Sequence, residues 1–236
     1  MSRRLIIAIS VVAVAVLASI GAIVISEQSS EQSSSPMSEP QPSADSIGAT
    51  GPLVGFYGDS YTLGTGASSP KKRWSTVISA ERNWREFNPS VNGLGFINNR
   101  SRFGPGDEPS DIIAQKPDIV FVTMGLNDNF SHAFAAEAIH KQITDDFGRL
   151  KKGLPEARFI IVEPFWYTDD RPRSLGIISA WVKEAAASIR ADYIPGASHW
   201  IEHHPEWMAS DGLHPNDAGY TEMARRMDEE LKKLGL

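Results

Sequence analysis

The sequence predicts an α/β domain in which helices cover both faces of a central parallel sheet, preceded by an N-terminal transmembrane helix. Three observations carry this. From residue 53 onward, short apolar runs alternate with amphipathic stretches, the pattern of successive strand–helix units. Ile119–Met124 (IVFVTM) and Arg158–Val162 (RFIIV) are almost wholly apolar, as strands buried on both faces are. Ahead of the domain, residues 5–26 (LIIAISVVAVAVLASIGAIVIS) form an uncharged run of membrane-spanning length.

The N-terminal segment comes first. Arg3 and Arg4 precede the apolar run, and no Lys or Arg appears again until Lys71. That asymmetry predicts a cytoplasmic N-terminus with everything after residue 26 outside the cytoplasm. Residues 1–26 are therefore expected to be a single-pass anchor in the cell membrane. The alternative is a cleaved signal peptide and a secreted domain; the small-residue sites near Ser19-Ile20-Gly21 are poor cleavage sites. Residues 27–50 (EQSSEQSSSPMSEPQPSADSIGAT) carry few large apolar side chains and are expected to be a disordered tether. Residues 51–236 remain for one folded domain.

Within it, Leu53–Tyr57 is the first strand and Trp74–Phe87 has helical spacing. Pro89–Asn92 is a short strand candidate, followed by the strand in Ile119–Met124. Ala133–Leu150 is helical, Arg158–Val162 a strand, Ser174–Arg190 a helix and Asp192–Ile194 a short strand. Pro215–Leu234 closes the chain as a helix, with Pro215 in its first turn.

Composition narrows the chemistry. The chain has no cysteine, so disulfides, thiol nucleophiles and cysteine metal sites are excluded. A formal net charge of −6 argues against nucleic acid as a partner. His199, His203 and His204 include a four-residue spacing that can hold zinc, but no third ligand is evident; a loop near the site is the preferred reading.

Parallel α/β sheets bind ligands beyond the carboxyl ends of their strands, and the chemistry-bearing residues fall there. Ser60, in Gly58-Asp59-Ser60-Tyr61, follows the first strand; a serine hydroxyl attacks carbonyls once a base removes its proton. Asp211 and His214, in Asp211-Gly212-Leu213-His214-Pro215, are spaced for a carboxylate to hold an imidazole. Asn127, in Gly125-Leu126-Asn127-Asp128, offers an amide to a developing oxyanion. Gly93, in Asn92-Gly93-Leu94-Gly95, could add a backbone N–H, with Gly95 a competing candidate. Each has a plainer reading: Asp59 and Asp211 as helix caps, Asn127 as a turn residue. Phe165-Trp166-Tyr167 and Trp200 are aromatic candidates for substrate contact, with core packing as the alternative.

Taken in chain order, Gly58-Asp59-Ser60, Gly93, Gly125-Leu126-Asn127-Asp128 and Asp211-Gly212-Leu213-His214-Pro215 resemble the four blocks of the SGNH hydrolases, the GDSL esterases and lipases. The resemblance spans roughly residues 53–234, and Tyr61 stands where the family commonly has leucine. It implies a three-layer α/β/α sandwich of flavodoxin-like type and acyl transfer without a cofactor or metal. It also implies Ser60 as nucleophile, His214 as general base, Asp211 as its orienting carboxylate, and an oxyanion hole of Ser60, Gly93 and Asn127. The expected substrate is an acyl-ester small molecule, glycan or lipid. An acyltransferase with the same site, or a non-catalytic glycan- or partner-binding module on the same fold, are the alternatives.

Overall fold

A computed structural model describes residues 49–236. The anchor expected over 5–26 lies outside the described residues, as does the tether up to residue 48. Five strands form one parallel sheet: β1 (Leu53–Tyr57), β2 (Arg85–Phe87), β3 (Ile119–Val122), β4 (Arg158–Val162) and β5 (Asp192–Ile194). Their spatial order is β2-β1-β3-β4-β5.

The sheet serves two cores because successive side chains of a strand point to opposite faces. Ile119 and Phe121 of β3 join one cluster, with Trp74 and Ile78 of helix α2 (Trp74–Glu81) and Met223, Met227 and Leu231 of helix α6 (Asp217–Lys233). Val120 and Val122 join the other. There they meet Ile112 of α3 (Glu108–Gln115), Ile139, Ile143 and Phe147 of α4 (His132–Gly153), and Val182 of α5 (Arg173–Ser188). The result is the three-layer α/β/α sandwich. α6 shows how little sequence this needs: Tyr220, Met223, Ala224, Met227 and Leu231 line its buried stripe, and Asn216 caps it by accepting from the N–H groups of Ala218 (2.9 Å) and Gly219 (3.1 Å).

Three expectations shift. The helix expected over Trp74–Phe87 stops at Glu81, because Asn83 turns left-handed (φ +56°) and the chain enters β2, where Arg85 N–H bonds the Pro52 carbonyl at 2.9 Å. Pro89–Asn92 is loop rather than strand. Pro89 lacks an N–H for a ladder, and Ser90 N–H is taken by the Asn88 side chain at 3.2 Å. Pro215 lies before the cap of α6 rather than in its first turn, and forms an antiparallel bridge with Met208. α3, which the sequence reading lacks, runs between β2 and β3.

The strand order places the functional region. From β1 the chain goes outward to β2 and then returns to β3 on the other side. The strand order thus reverses between β1 and β3, and the carboxyl ends at such a point are where parallel α/β sheets bind ligands. Ser60 follows β1 there and Asn127 follows β3.

Candidate active site

The Ser60 turn is built from small and buried parts. β1 ends at Tyr57, and Gly58 follows where a Cβ would lie 2.5 Å from Thr62 Cβ and 2.7 Å from Thr123 Oγ1. Asp59 is extended and its carboxylate caps the short helix α1 (Ser60–Leu63), accepting from Tyr61 N–H at 3.0 Å. Ser60 opens α1, nearly buried, and its Oγ makes no hydrogen bond among the described residues. Burial pushes the Asp59 carboxyl up to about 7.

Asn127 opens a 3-10 turn (Asn127–Phe130) after β3. Its Nδ2 donates to the Leu94 carbonyl at 2.9 Å and, at 3.3 Å, to the second oxygen of Asp59. The amide thus lies between the Ser60 turn and the loop that carries Gly93. Asp128, fully buried, organises that loop: its carboxylate accepts from the N–H groups of Phe96 (2.7 Å), Ile97 (3.0 Å) and Asn98 (3.2 Å). Burial holds its pKa above the ordinary value, although those three N–H groups pull the other way.

The two candidate glycines differ. Gly95 N–H donates to the Asn98 carbonyl at 2.8 Å, and a Cβ on Gly95 would sit 2.5 Å from an Asp128 oxygen. Gly95 is therefore a packing glycine with its donor committed. Gly93 is left-handed (φ +71°), its carbonyl is held by the side chains of Asn98 (3.0 Å) and Asn99 (2.9 Å), and its N–H has no acceptor among the described residues.

His214 stands on the loop before α6. Its Nδ1 pairs with Asp211 Oδ2 at 2.7 Å, and Asp211 Oδ1 accepts from the N–H groups of Leu213 (2.9 Å) and His214 (3.0 Å). Those bonds, led by the His214 N–H, hold the Asp211 carboxyl down at about 2. The imidazole is engaged with Asp211 through Nδ1, and its Nε2 makes no hydrogen bond among the described residues. The two ends of the site meet: the Tyr61 ring lies 6.1 Å from the imidazole, and a Cβ on Gly66 would be 3.1 Å from His214 Cβ.

The aromatic candidates divide. Trp166 and Trp200 are only 4% and 6% exposed. Trp166 Nε1–H is spent on Thr168 Oγ1 and the Asp170 carbonyl, and Trp200 tilts over Phe165 at 5.8 Å. Contrary to expectation, both are core residues without a free ring face; Tyr167 is half-buried against Trp166 at 4.6 Å. The exposed rings are ones the sequence reading passes over: Phe130, 53% exposed in the turn that begins with Asn127, and Phe134, 82% exposed at the start of α4. The only signal for Phe130 is its place three residues after Asn127. The loop histidines pair with carboxylates: His199 with Glu202, His203 with Asp169 and His204 with Glu206. Among the described residues no cluster of His, Asp and Glu is arranged to hold a metal.

Comparison with known proteins gives the class to which this fold and its Ser60, Asn127 and Asp211–His214 motifs belong, the serine hydrolases acting on esters. The chain belongs to the GDSL-like lipase/acylhydrolase family, which it matches over residues 56–221. It is 29% identical over 192 residues to GDSL lipase Rv0518 of Mycobacterium tuberculosis (strain ATCC 25618 / H37Rv), covering 74% of this chain and 79% of that protein. Its fold is similar to the psychrotrophic esterase EstA of Pseudoalteromonas sp., in a structure inhibited by monoethylphosphonate (TM-score 0.60, 15% identity, 77% of this chain and 97% of that one). It is also similar to Axe2, an acetylxylan esterase from Geobacillus stearothermophilus (TM-score 0.59, 21% identity, 76% and 94%).

Proposed function

We propose that this chain is an exported, membrane-tethered esterase that removes short acyl groups through an acyl-Ser60 intermediate. The observation that carries the mechanism is the His214–Asp211 pair, with Nε2 unengaged, beside the buried turn that presents Ser60. Ser60 Oγ attacks the ester carbonyl while its proton passes to His214 Nε2, and Asp211 stabilises the imidazolium from Nδ1. The carbonyl oxygen, now negative, is met by the N–H groups of Ser60 and Gly93 and by Asn127 Nδ2, which turns from its long 3.3 Å bond to Asp59. His214 returns the proton to the leaving alcohol, and water, activated by the same imidazole, releases the acid.

Two observations support short acyl groups. Tyr61, whose ring lies 6.1 Å from that of His214, is fully buried, so the wall on that side of the imidazole is packed core. The likeness to an acetylxylan esterase makes acetylated glycans a substrate class to test. The tether and export rest on Arg3, Arg4 and the apolar run over 5–26. One observation favours a second reading: exposed Phe130 and Phe134 beside Asn127 suit esters of longer chains, laid along the surface.

The test is hydrolysis of p-nitrophenyl esters of rising chain length by the detergent-solubilised full chain, with Ser60→Ala alongside. Short-chain specificity predicts a maximum at acetate or propionate. A maximum at octanoate or beyond, lost in Phe130→Ser, establishes the second reading instead, and activity retained in Ser60→Ala removes both.

A further inference from the structure

Tyr61 has a buried polar group that neither the core nor the reaction as described requires. Its ring is fully buried and stacks on Phe165 at 5.7 Å, with 17° between the planes. An apolar side chain of that shape would serve the core equally well, whereas a buried hydroxyl needs a partner. Tyr61 Oη–H donates to the Leu213 carbonyl at 2.7 Å, across 152 residues of sequence.

That carbonyl belongs to the peptide unit between Leu213 and His214. The N–H of the same unit donates to Asp211 Oδ1 at 3.0 Å. The peptide plane leading into the imidazole is thus held at both poles. The Asp211 bond fixes it relative to the ring, and the Tyr61 bond fixes it relative to the nucleophile. Tyr61 is covalently next to Ser60, and its backbone is pinned by its N–H on Asp59 (3.0 Å) and its carbonyl under Trp74 Nε1–H (3.1 Å).

The other bonds of the loop do not do this. Ala209 N–H to the His214 carbonyl (2.8 Å), Gly212 N–H to the Ala209 carbonyl (3.0 Å) and Asn216 N–H to the Trp207 carbonyl (2.8 Å) all close within residues 207–216. They give the loop its shape but not its position on the domain. Apolar packing holds the flanks of the loop, through Trp207, Met208 and the buried Pro215, while Ser210, Asp211 and Gly212 are exposed, so the stretch leading into His214 depends on hydrogen bonds. Two further ties, Ser68 to Asp217 (2.6 and 2.7 Å) and Tyr220 Oη to the Thr65 carbonyl (2.7 Å), fix the start of α6 beyond the loop. The Tyr61 bond reaches the residue next to the base.

We propose that Tyr61 is a positioning residue: through the Leu213 carbonyl, its hydroxyl sets the distance and direction from which His214 Nε2 meets Ser60 Oγ. The inference rests on the Ser60–His214 reading above. A displacement of about 1 Å in such a pair costs on the order of 10²-fold in rate. The hydroxyl therefore matters more to catalysis than to folding, since Leu213 is only partly buried.

The experiment compares wild type, Tyr61→Phe, Phe165→Leu and Ser60→Ala in the detergent-solubilised full chain, by p-nitrophenyl acetate kinetics, phosphonate inactivation rate and urea midpoint. Tyr61→Phe is expected to lower kcat and the inactivation rate together, by about 10- to 100-fold, with KM within about twofold. Its pH–rate profile keeps the acid-limb pKa of wild type, because the His214–Asp211 pair is untouched. Phe165→Leu, which disturbs the stack and keeps the hydroxyl, is expected to lower the urea midpoint while holding kcat within about threefold. Wild-type kcat and inactivation rate in Tyr61→Phe, with Ser60→Ala inactive, would overturn the inference and leave the esterase reading standing. So would a loss of rate in Phe165→Leu equal to that in Tyr61→Phe, since packing and not the hydroxyl would then govern. Activity in Ser60→Ala would instead remove the reading beneath it.

Discussion

The two ends of the site are held by different physics. The serine end is an extension of the core. β1 is buried in the middle of the sheet, Asp59, Tyr61 and Thr62 are buried around Ser60, and the hydroxyls of Thr62 and Thr123 share a hydrogen bond of 2.7 Å behind the turn. The histidine end is a loop shaped largely by its own hydrogen bonds, exposed at Ser210–Gly212, with the Asp211 side chain about half in solvent and that of His214 mostly covered. The proposed nucleophile, anchored in the core, shares the global stability of the domain, whereas the proposed base is as secure as its loop and the bonds that cross to it. Substitutions at the two ends should separate accordingly: stability and activity together at the serine end's scaffold, activity alone at the histidine end.

The largest effects test that separation directly. Ser60→Ala and His214→Ala should each lower kcat/KM on p-nitrophenyl acetate on the order of 10⁴- to 10⁶-fold, with little change in urea midpoint. Asp211→Asn should lower kcat on the order of 10³- to 10⁴-fold by favouring the wrong tautomer, and lower the midpoint only slightly, because solvent screens the half-exposed carboxylate and the Asn oxygen can still accept from the Leu213 and His214 N–H groups. A midpoint that collapsed in Asp211→Asn would mean the loop is part of the cooperative core. Asn127→Ala should cost about 10²- to 10³-fold in kcat if its amide meets the oxyanion.

The opposite behaviour belongs to Gly58→Ala. The new methyl meets Thr62 and Thr123 inside their van der Waals radii, so the domain should lose about 1–3 kcal/mol of unfolding free energy along with activity.

The two ends also separate by pH. Asp59 is pushed up to about 7 in the folded protein from an ordinary 3.8. Between those values the folded state keeps a proton that the unfolded state releases, so stability falls as pH rises from about 4 to about 7. Glu108, buried beside Gly58, and Asp128 act in the same direction. Asp211, held at about 2, works the other way: its contribution is full above the ordinary 3.8 and is lost as pH falls through about 2. Urea midpoints should therefore decline from pH 5 to pH 8, less steeply in Asp59→Asn than in wild type. Parallel slopes would show that Asp59 is already ionised at pH 5.

Much of this was legible in the sequence where one side chain reports one environment. The strands over Leu53–Tyr57, Arg158–Val162 and Asp192–Ile194 stand as expected, and that over Ile119–Met124 ends at Val122. Their apolar runs reflect burial on both faces. β2 was displaced because Trp84 and Phe87 also satisfy helical spacing, and only the left-handed turn at Asn83 breaks the helix. α3 escaped because its amphipathic signal rests on Ile112 and Ile113 in an otherwise polar stretch. The Ser60 and Asn127 motifs could be placed on one edge of the sheet because a parallel sheet fixes where strand ends gather. Local sequence could not distinguish Gly93 from Gly95, since the difference is a hydrogen bond to Asn98 and the volume of Asp128. Nor could it tell a core tryptophan from a substrate platform: Trp166 and Trp200 are buried by residues distant in the chain, while Phe130 and Phe134 are left exposed.

The central claim is that the buried serine turn and the exposed histidine loop form one site. It is tested most directly by labelling the full chain with a serine-directed fluorophosphonate and mapping the adduct by peptide mass spectrometry, in wild type and His214→Ala. The account predicts a single adduct, on Ser60, that forms on the order of 10²-fold or more slowly without the imidazole. An adduct on another residue, or on Ser60 at an unchanged rate in His214→Ala, would contradict it.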